Sequence, residues 1–350
     1  MQIIWGILGV TLSGLISGSG AWPMKLMKRY QFEHWWFVGM FSGLVLFPWL
    51  VVVIFCPNLV AALKCIPCET LWKANAWATC WGVANVLCGL CYVRIGMALT
   101  TAILSGVGIC LGVTLPLVFK GSGVFHSAPR LLSPAGFLIG AGAVVALLAV
   151  VLAGFAGHER ERVRGRSSAG AGNYFASLIL ALMAGALSCG YTFSFIYSQG
   201  PIISSLKSQG AGDLVAAFAV WALALAGGAL VSVGYAGWRL TRNKSWSVLL
   251  ASPTEFCLAL MIGLNIAVSI AFLGPGMLLM GALGGSVGTG LQQVAWMLGG
   301  QGVGLISGEW HGVNGQSRQR ILLAMGLLVF AALLMACGNF PAGTTTENHP

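Results

Sequence analysis

Residues 158–173, from His158 to Asn173, read HERERVRGRSSAGAGN and decide how the rest of the chain is organised. The segment joins a cluster of charges to a run of Ser, Ala and Gly, which is the composition of a solvated linker. About five apolar segments long enough to span a bilayer precede it, and about five follow it. Because the number before the linker is odd, the second half begins on the opposite side of the membrane from the first. The sequence therefore predicts two halves of inverted topology.

The composition excludes an ordinary soluble domain. The chain has 350 residues, of which 57% are hydrophobic and 7% charged, whereas soluble domains carry roughly 25% charged residues. Its 50 glycines are typical of helices that approach closely in lipid. The formal charge of +10 does not indicate a nucleic-acid partner, because the Lys and Arg residues lie in short connections and form no solvent-facing patch. We expect an all-α polytopic membrane protein.

A helix needs about 20 apolar residues to cross the hydrocarbon core. The first apolar segment lacks a basic start and a cleavage site, so we interpret it as a retained span and not as a signal peptide. The predicted spans are residues 2–22, 35–56, 73–93, 96–119, 134–156, 174–199, 213–238, 255–274, 281–306 and 321–338.

The Lys and Arg residues predict the orientation, since cytoplasmic loops carry their excess. The odd-numbered connections, including the linker, hold most of them, which places these connections inside and both termini on the non-cytoplasmic side. The even-numbered connections hold only Lys64, Lys73, Lys120, Arg130 and Lys207.

The predicted organisation has four parts, and the two halves share short features. Tiny connections join the third span to the fourth and the eighth to the ninth, with Gly96, Gly274 and Gly276 as predicted hinges. The segment from Gly14 to Ser17 in the first span resembles Gly185 to Ser188 in the sixth. The predicted parts are a first five-helix repeat (1–157), a basic cytoplasmic linker (158–173), a second five-helix repeat (174–340) and a polar tail (341–350).

Most of the ten cysteines lie in apolar runs, where cysteine behaves as a small hydrophobe. Cys65 and Cys68 form a CxxC pair in a predicted connection, and Cys88 and Cys91 form another inside the third span. With no His near Cys65 and Cys68, the sequence predicts no metal site there, while a disulfide in an outer loop stays open.

Polar side chains inside a span are costly unless they are paired or line a cavity, so they are the first candidates for a substrate path. Trp81 and Asn85 lie four residues apart and share one helix face. An aromatic plane beside an amide suits a sugar, because the ring stacks and the amide pairs with hydroxyls. The alternative is that Asn85 only bonds a neighbouring helix.

Further polar candidates lie in the second half. No charged residue occurs between Glu255 and Glu309, so recognition in this region is by neutral hydrogen bonds. This inventory favours a neutral polyhydroxylated solute over an ionic one. The predicted substrate-binding residues are Trp81, Asn85, Tyr191, Asn265, Gln292, Gln293 and Trp296.

Several ordered motifs resemble the L-rhamnose-proton symporter family of the drug/metabolite transporter superfamily. They are Pro23 to Lys28 with Glu33, Trp36, Val38-Gly39 and Pro48-Trp49; Trp81 to Asn85 with Gly89-Leu90 and Gly96-Met97; and Gly304-Leu305 with Glu309-Trp310. The matches cover roughly the first 100 residues and the last 40.

The resemblance implies ten helices in two inverted five-helix repeats and uptake of a 6-deoxyhexose with protons. The stretches AVSIAFLGPGM (267–277) and GGSVGTGLQQ (284–293) differ from the aromatic- and histidine-rich helices of the family's rhamnose carriers. We therefore expect a sugar of the L-rhamnose or L-fucose type.

Proton coupling needs a titratable group along the path. The candidates are Glu255, Glu33 and Asp213, all near helix ends. Glu255 is equally explained as an acidic residue that the helix dipole favours at an N-terminus, and Glu33 as an orientation or interface residue.

The sequence thus predicts a multi-pass bacterial inner-membrane protein that imports a neutral sugar by proton-coupled alternating access. Uncoupled facilitation, or export of the drug/metabolite transporter type, are the alternatives. Because the spans lack clustered catalytic groups, we expect no enzyme activity and no cofactor or metal. The expected partners are a sugar, protons and the lipid bilayer, and the expected state is a monomer or weak dimer without nucleic acid.

Overall fold

The computed structural model of the chain is built from helices. No β-strand occurs in its described part, which comprises residues 1–95, 97–128, 132–163, 171–308, 310–313 and 315–343.

A helical segment lies at each predicted span. The α-helices of the described part are α1 (Gln2–Ser19), α2 (Phe32–Phe41), α3 (Phe47–Phe55), α4 (Leu59–Cys65), α5 (Cys68–Arg94), α6 (Met97–Val118), α7 (Pro134–Val163), α8 (Ala171–Ser208), α9 (Asp213–Ala224), α10 (Ala226–Arg242), α11 (Trp246–Ala251), α12 (Pro253–Leu279), α13 (Thr289–Ile306) and α14 (Gly315–Gly343). Shorter 3₁₀ or π turns cover Trp22–Leu26, Ser42–Leu46, Gly123–Ser127, Gly281–Leu283 and Gly284–Gly288.

Six helical segments within these ranges are long and apolar enough to cross a membrane, and the bent pair α9 and α10 is a seventh if it counts as one span. The other predicted spans correspond to α5, α6 and α13. Charged residues open α5, glutamines interrupt α13, and the apolar helix identified in α6 is only Ile103–Val118. The ten-span arrangement therefore stays a prediction. The six qualifying segments are Gln2–Leu26, Phe32–Phe55, Pro134–Gly157, Ala176–Ser208, Pro253–Leu279 and Gly315–Gly338.

The second span is a helix with a widened turn. Pro48 has no backbone N–H, so the normal helical ladder cannot continue through it. The chain adopts a π turn over Ser42–Leu46 immediately before this proline and then resumes as α3. The hydroxyl of Ser42 donates to the carbonyl of Val38 at 2.6 Å, which satisfies a backbone group inside the distorted stretch.

The seventh span is broken at Leu225, where α9 and α10 meet at a 51° bend. Asn75 of α5 bridges the break: its Nδ2 donates to the carbonyl of Leu223 at 3.1 Å, and its Oδ1 accepts the N–H of Gly227 at 2.7 Å. The Ser194 hydroxyl donates to the carbonyl of Ala224 at 2.9 Å. Side chains thus replace the backbone bonds that the bend removes.

The prediction that the eighth helix ends at Gly274 is wrong. The helix α12 continues to Leu279, with Gly274, Pro275 and Gly276 inside it, because a proline within a membrane helix is tolerated where neighbouring helices support the backbone. The turn follows at Gly281, whose φ of +67° favours glycine. A hinge role for Gly274 and Gly276 stays a prediction, and Gly96 lies outside the described residues.

Helix extends into both ends of the predicted linker. α7 continues to Val163 and α8 begins at Ala171, while residues 164–170 lie outside the described part, as do residues 344–350 of the predicted tail. Glu159 near the end of α7 accepts a hydrogen bond from Ser317 and pairs with Arg320 of α14 at 3.4 Å. Cys65 and Cys68 are exposed free thiols.

Contacts between helices come in matched pairs when the two halves are exchanged. α1 packs against α12 and α13, and α8 packs in the same way against α5 and α6. The contact of α2 with α12 corresponds to that of α10 with α5, and the contact of α6 with α7 to that of α13 with α14. This pattern is expected of a repeat, although the orientation of the termini stays a prediction.

Glycines allow α1 to lie directly on α13. A Cβ built on Gly14 would lie 2.6 Å from the Cβ of Ala295, and one on Gly18 would collide with the backbone carbonyl of Trp296. On α8, a Cβ on Gly190 would collide with the carbonyl of Trp77 on α5. Small residues of this kind bring membrane helices into backbone contact.

We expect Gly18→Ala to lower the stability of the protein, because the added methyl meets the fixed Trp296 carbonyl and overpacking costs about 1–3 kcal/mol. The measurement is the thermal unfolding of purified protein in detergent. Gly302→Ala on α13 is the matched control, since its Cβ would meet open space. Equal melting temperatures for the two variants would contradict this account of the interface.

Candidate functional site

A cavity of about 230 Å³ lies between helices of both halves. None of its lining residues in the described part is charged. It is lined by Ser17, Gly20, Ala21, Trp35, Trp36, Met40, Leu44, Trp81, Ala84, Asn85, Cys88, Leu104, Ser188, Tyr191, Ile262, Asn265, Ile266, Ser269, Ile270, Gln292, Gln293 and Trp296.

The structure brings the sequence-predicted substrate-binding residues together in this one cavity. α5 contributes Trp81 and Asn85, and α8 contributes Tyr191. Asn265 of α12 lines the cavity too, and the list is completed on α13 by Gln292, Gln293 and Trp296. That they bind a substrate stays a prediction, since geometry gives only their common location.

An aromatic stack runs from the cavity wall into the protein. The Trp81 and Tyr191 rings lie 5.2 Å apart, and Tyr191 in turn stacks on Trp221 at 4.6 Å. Trp221 is fully buried and lies parallel to Phe195 at 4.3 Å. These contacts fix the Trp81 and Tyr191 planes, so this wall is rigid before any ligand arrives.

Several polar groups at the cavity have no protein partner among the described residues. The side-chain amides of Gln292 and Gln293, the hydroxyl of Tyr191 and the indole N–H of Trp296 form no hydrogen bond there, and none is a fully buried orphan. They are therefore accessible from the cavity. Donors and acceptors left open in this way are available to a hydroxylated ligand.

Other polar groups are already used by the protein. Asn265 Nδ2 donates to the carbonyl of Gly20 at 3.4 Å, at the end of α1. Ser17 and Ser188 bond back to the carbonyls of Gly14 and Gly185, three residues earlier in each half. The resemblance between these two segments in the sequence thus corresponds to two serines with the same local bond, both facing the cavity.

Asn85 is intermediate between the polar groups that have no partner and those already bonded within the protein. Its Nδ2 has two contacts, with Met40 Sδ and Ser232 Oγ, each at 3.5 Å. The contact with Ser232 is long for a bond donated by an amide nitrogen to oxygen, and the sulfur of Met40 is only a weak acceptor. The interpretation of Asn85 as a residue that simply bonds a neighbouring helix is therefore weakly supported, and its amide remains available to a ligand.

Sequence reasoning missed the wall formed by α2. Trp35, Trp36, Met40 and Leu44 line the cavity. The last three are spaced by four residues and so share one helix face. This spacing was the available signal, but an apolar face of this kind is equally typical of core packing, and only the structure shows that it borders a cavity.

The three predicted coupling acids do not line the cavity. Asp213 is exposed and pairs with Lys207 at 2.7 Å. Glu33 is buried at the start of α2, where it accepts a bond from Asn243 at 2.6 Å and pairs with Arg239 of α10 at 3.4 Å. A coupling role for either residue stays a prediction.

Glu255, at the start of α12, joins the two halves. Its carboxylate accepts the backbone N–H groups of Lys28, Arg29 and Tyr30, at distances of 2.7–3.1 Å. Both oxygens are occupied by these bonds, which the ionised carboxylate accepts best. Through these hydrogen bonds Glu255 anchors the segment before α2. Proton coupling through Glu255 stays a prediction.

Comparison with known proteins places the chain in a family. The model of the L-rhamnose-proton symport protein family matches residues 1–340. The chain belongs to this family. It is similar to the L-rhamnose-proton symporter of Klebsiella pneumoniae, with 25% identity over 345 residues, and to those of Escherichia coli and Shigella boydii, each with 26% identity over 349 residues. Each comparison covers 97% of this chain and 97% of the relative.

Membership of the L-rhamnose-proton symport family confirms the resemblance seen in the motifs. The relatives are named as symporters, which confirms a transport protein and not an enzyme. Together with the apolar helices, it also confirms a multi-pass protein of the bacterial inner membrane.

In this family member, we expect Glu255→Gln to destabilise the fold by about 1–3 kcal/mol, because an amide leaves one N–H group of residues 28–30 without its charged acceptor. Thermal unfolding in detergent measures the change. The control is Asp213→Asn, which breaks an exposed pair worth about 1 kcal/mol or less. Equal melting temperatures for the two variants would mean that the Glu255 contact does not stabilise this segment.

Proposed function

We propose that the chain is a secondary active transporter that imports a neutral 6-deoxyhexose of the L-rhamnose or L-fucose type by proton-coupled alternating access. The single observation that carries the proposal is the uncharged cavity, whose wall combines tryptophan rings with glutamine amides that have no partner among the described residues. The names of the relatives, all L-rhamnose-proton symporters, support the same substrate class.

The chemistry of the cavity suits one sugar ring. Its volume of about 230 Å³ lies just below the range of about 300–1,000 Å³ typical of sites for drug-sized ligands, which suits a solute as small as a monosaccharide. Trp81 and Trp296 offer apolar planes for the C–H faces of the ring. Asn85, Gln292 and Gln293 supply donors and acceptors for its hydroxyls.

An apolar side of the cavity favours a deoxy sugar. Ile262, Ile266 and Ile270 follow one another at intervals of four along α12, and all three line the cavity. A hydroxyl placed against such a stripe would lose its hydrogen bonds with water, whereas a methyl group would gain from burial. This stripe is the part of the site that we assign to the C6 methyl.

The proposed architecture is two inverted five-helix units, 1–157 and 174–340, joined by a cytoplasmic linker (158–173) and followed by a polar tail (341–350), with both termini outside. The matched helix contacts support it. A further match supports it too: Asn85 precedes Gly96-Met97 by the same number of residues as Asn265 precedes Gly276-Met277. Both asparagines face the cavity, as a site between two repeats requires.

Alternating access then requires the units to rock about the cavity. The interrupted second and seventh spans, with the π turn at Ser42–Leu46 and the bend at Leu225, are equivalent elements at which such a motion can be absorbed. Gly274 and Gly276 allow α12 to lie closely on its neighbours during the motion. The proposed working unit is a monomer or weak dimer.

One observation keeps uncoupled facilitation as a second candidate. No titratable carboxyl or imidazole lines the cavity within the described residues, so proton binding is not built into its wall. A facilitator would equilibrate the same sugar without accumulating it. Transport against a gradient separates the two functions.

We expect reconstituted protein to accumulate L-rhamnose or L-fucose when the outer pH is lower, up to about tenfold for each unit of pH gradient if one proton accompanies one sugar. Uptake of radiolabelled sugar into proteoliposomes measures it. L-Mannose, which carries a hydroxyl at C6, is the control and should compete poorly. Equilibration without accumulation would identify a facilitator, and strong competition by L-mannose would exclude the assigned methyl pocket.

We expect Asn85→Ala and Gln293→Ala to weaken sugar binding about threefold to tenfold each, because each loses about 0.5–1.5 kcal/mol of hydrogen bonding. Expression and melting temperature should be unchanged. Thr79→Ala is the matched control, because this α5 hydroxyl is exposed and bonds only the backbone of Asn75. Wild-type affinity in both alanine variants would mean that these side chains do not bind the sugar.

A further inference from the structure

His34 is a buried titratable residue that the cavity does not account for. It lies in the first turn of α2 with 3% of its surface exposed. Among the described residues, its Nε2 is buried without a hydrogen-bond partner. Buried polar atoms are rarely left in this state, so such a group calls for an explanation in function or in conformational change.

The other ring nitrogen fixes the protonation state. Nδ1 accepts the backbone N–H of Gln31 at 3.1 Å, as part of a capping box in which the Gln31 side chain also accepts the N–H of His34. A nitrogen that accepts a hydrogen bond carries no proton. His34 is therefore neutral in this conformation, with its single proton on the unpartnered Nε2.

Protonation is incompatible with this cap. When Nδ1 binds a proton, a new N–H bond forms there, and the N–H of Gln31 loses its acceptor. The imidazolium would then carry two buried donors. Proton binding thus favours a different arrangement of the first turn of α2, and by thermodynamic reciprocity that arrangement favours proton binding.

Two buried acids lie near the first turn of α2, and each already has partners in this conformation. Glu33 and Glu255 are both buried acids at this end of α2, and Glu33 is adjacent to His34. Burial and the charge of Glu255 raise the pKa of Tyr30, whose ring lies 5.5 Å from His34, to about 12, so Tyr30 does not titrate in the physiological range. The ionisable groups facing this turn are Tyr30 and Glu33 on its own segment, Lys28 and Arg29 before it, Arg239 on α10 and Glu255 on α12.

The same turn reaches both the cavity and the contact between the halves. The two residues after His34, Trp35 and Trp36, line the cavity. Tyr30 donates its N–H to Glu255 at 2.7 Å and its hydroxyl to the carbonyl of Leu249 at 2.7 Å. A change in the cap would therefore act on the sugar site and on the attachment of the second half together.

We infer that His34 is the proton-binding residue of the transport cycle, neutral and capping α2 in this conformation and protonated in another in which the cap is open. The inference rests on the proposed function, since only a proton-coupled carrier needs such a group. It places the proton on the residue next to the cavity wall, not inside the cavity.

His34→Gln tests the inference sharply. Glutamine at this position forms the ordinary capping box, so the variant keeps the acceptor for Gln31 but cannot bind a proton. In proteoliposomes with radiolabelled L-rhamnose, and L-fucose as a second probe, we expect sugar exchange within about twofold of wild type. Accumulation driven by the pH gradient should fall from about tenfold per pH unit to none. The exchange rate should depend on pH in wild type and lose that dependence in the variant.

His126→Gln is the matched control, because His126 is exposed in the connection after α6, and it should behave as wild type. Normal accumulation by His34→Gln overturns the inference while leaving symport intact. Absence of accumulation in the wild-type protein instead overturns the proposed coupling itself.

If His34→Gln does not fold, a second variant tests the inference. In this variant the other histidines, at positions 126, 158, 311 and 348, are all replaced by Gln, so that His34 is the only imidazole. Gradient-driven accumulation must persist in it, and its loss overturns the inference.

Discussion

The constraint on which this structure depends is that a chain in lipid must satisfy its own backbone polar groups. Continuous helices do so alone, but this chain breaks its helices, and side chains supply hydrogen bonds at the breaks. Asn75 and Ser194 close the bend at Leu225, and Asn265 closes the end of α1 at Gly20. Polar residues in the spans therefore divide into those that serve the backbone and those left over. The groups left over, chiefly the amides of Gln292 and Gln293, converge on the cavity, and that division defines the site.

Close packing by glycine decides where the cavity can be. α1 lies on α13 through Gly14 and Gly18, and α8 lies on α5 through Gly190. Rings border the cavity beside these contacts, with Trp296 at one tight contact and Trp81 near the other. The small residues thus bring together helices that carry the cavity's aromatic wall.

The sequence predicted which residues share a cavity better than it predicted the helix ends. A polar residue in an apolar run has only a few acceptable environments. The free-energy cost of exposing Asn85, Tyr191 and the α13 glutamines to lipid was therefore enough to assign them to a common cavity. The end of the eighth helix was placed wrongly because a Gly-Pro-Gly segment is typical of a turn, and only packing against Trp221 and Val10 keeps it helical. The burial of His34 was also beyond the sequence. A histidine at a helix end is usually exposed, and here it is covered because Tyr30 and its neighbours are held by Glu255.

The separation of charge from the cavity has a mechanistic consequence. A carboxylate in the sugar site would need its charge balanced in the empty state, and desolvating it would oppose the binding of a neutral ligand. In this chain the buried acids lie instead at the ends of α2 and α12, already paired with Arg239 or with backbone N–H groups. Any effect of a proton on the sugar must therefore pass through a change in helix position. Trp35 and Trp36 are the side chains in the right place to carry it, since they follow the α2 cap directly and form part of the cavity wall.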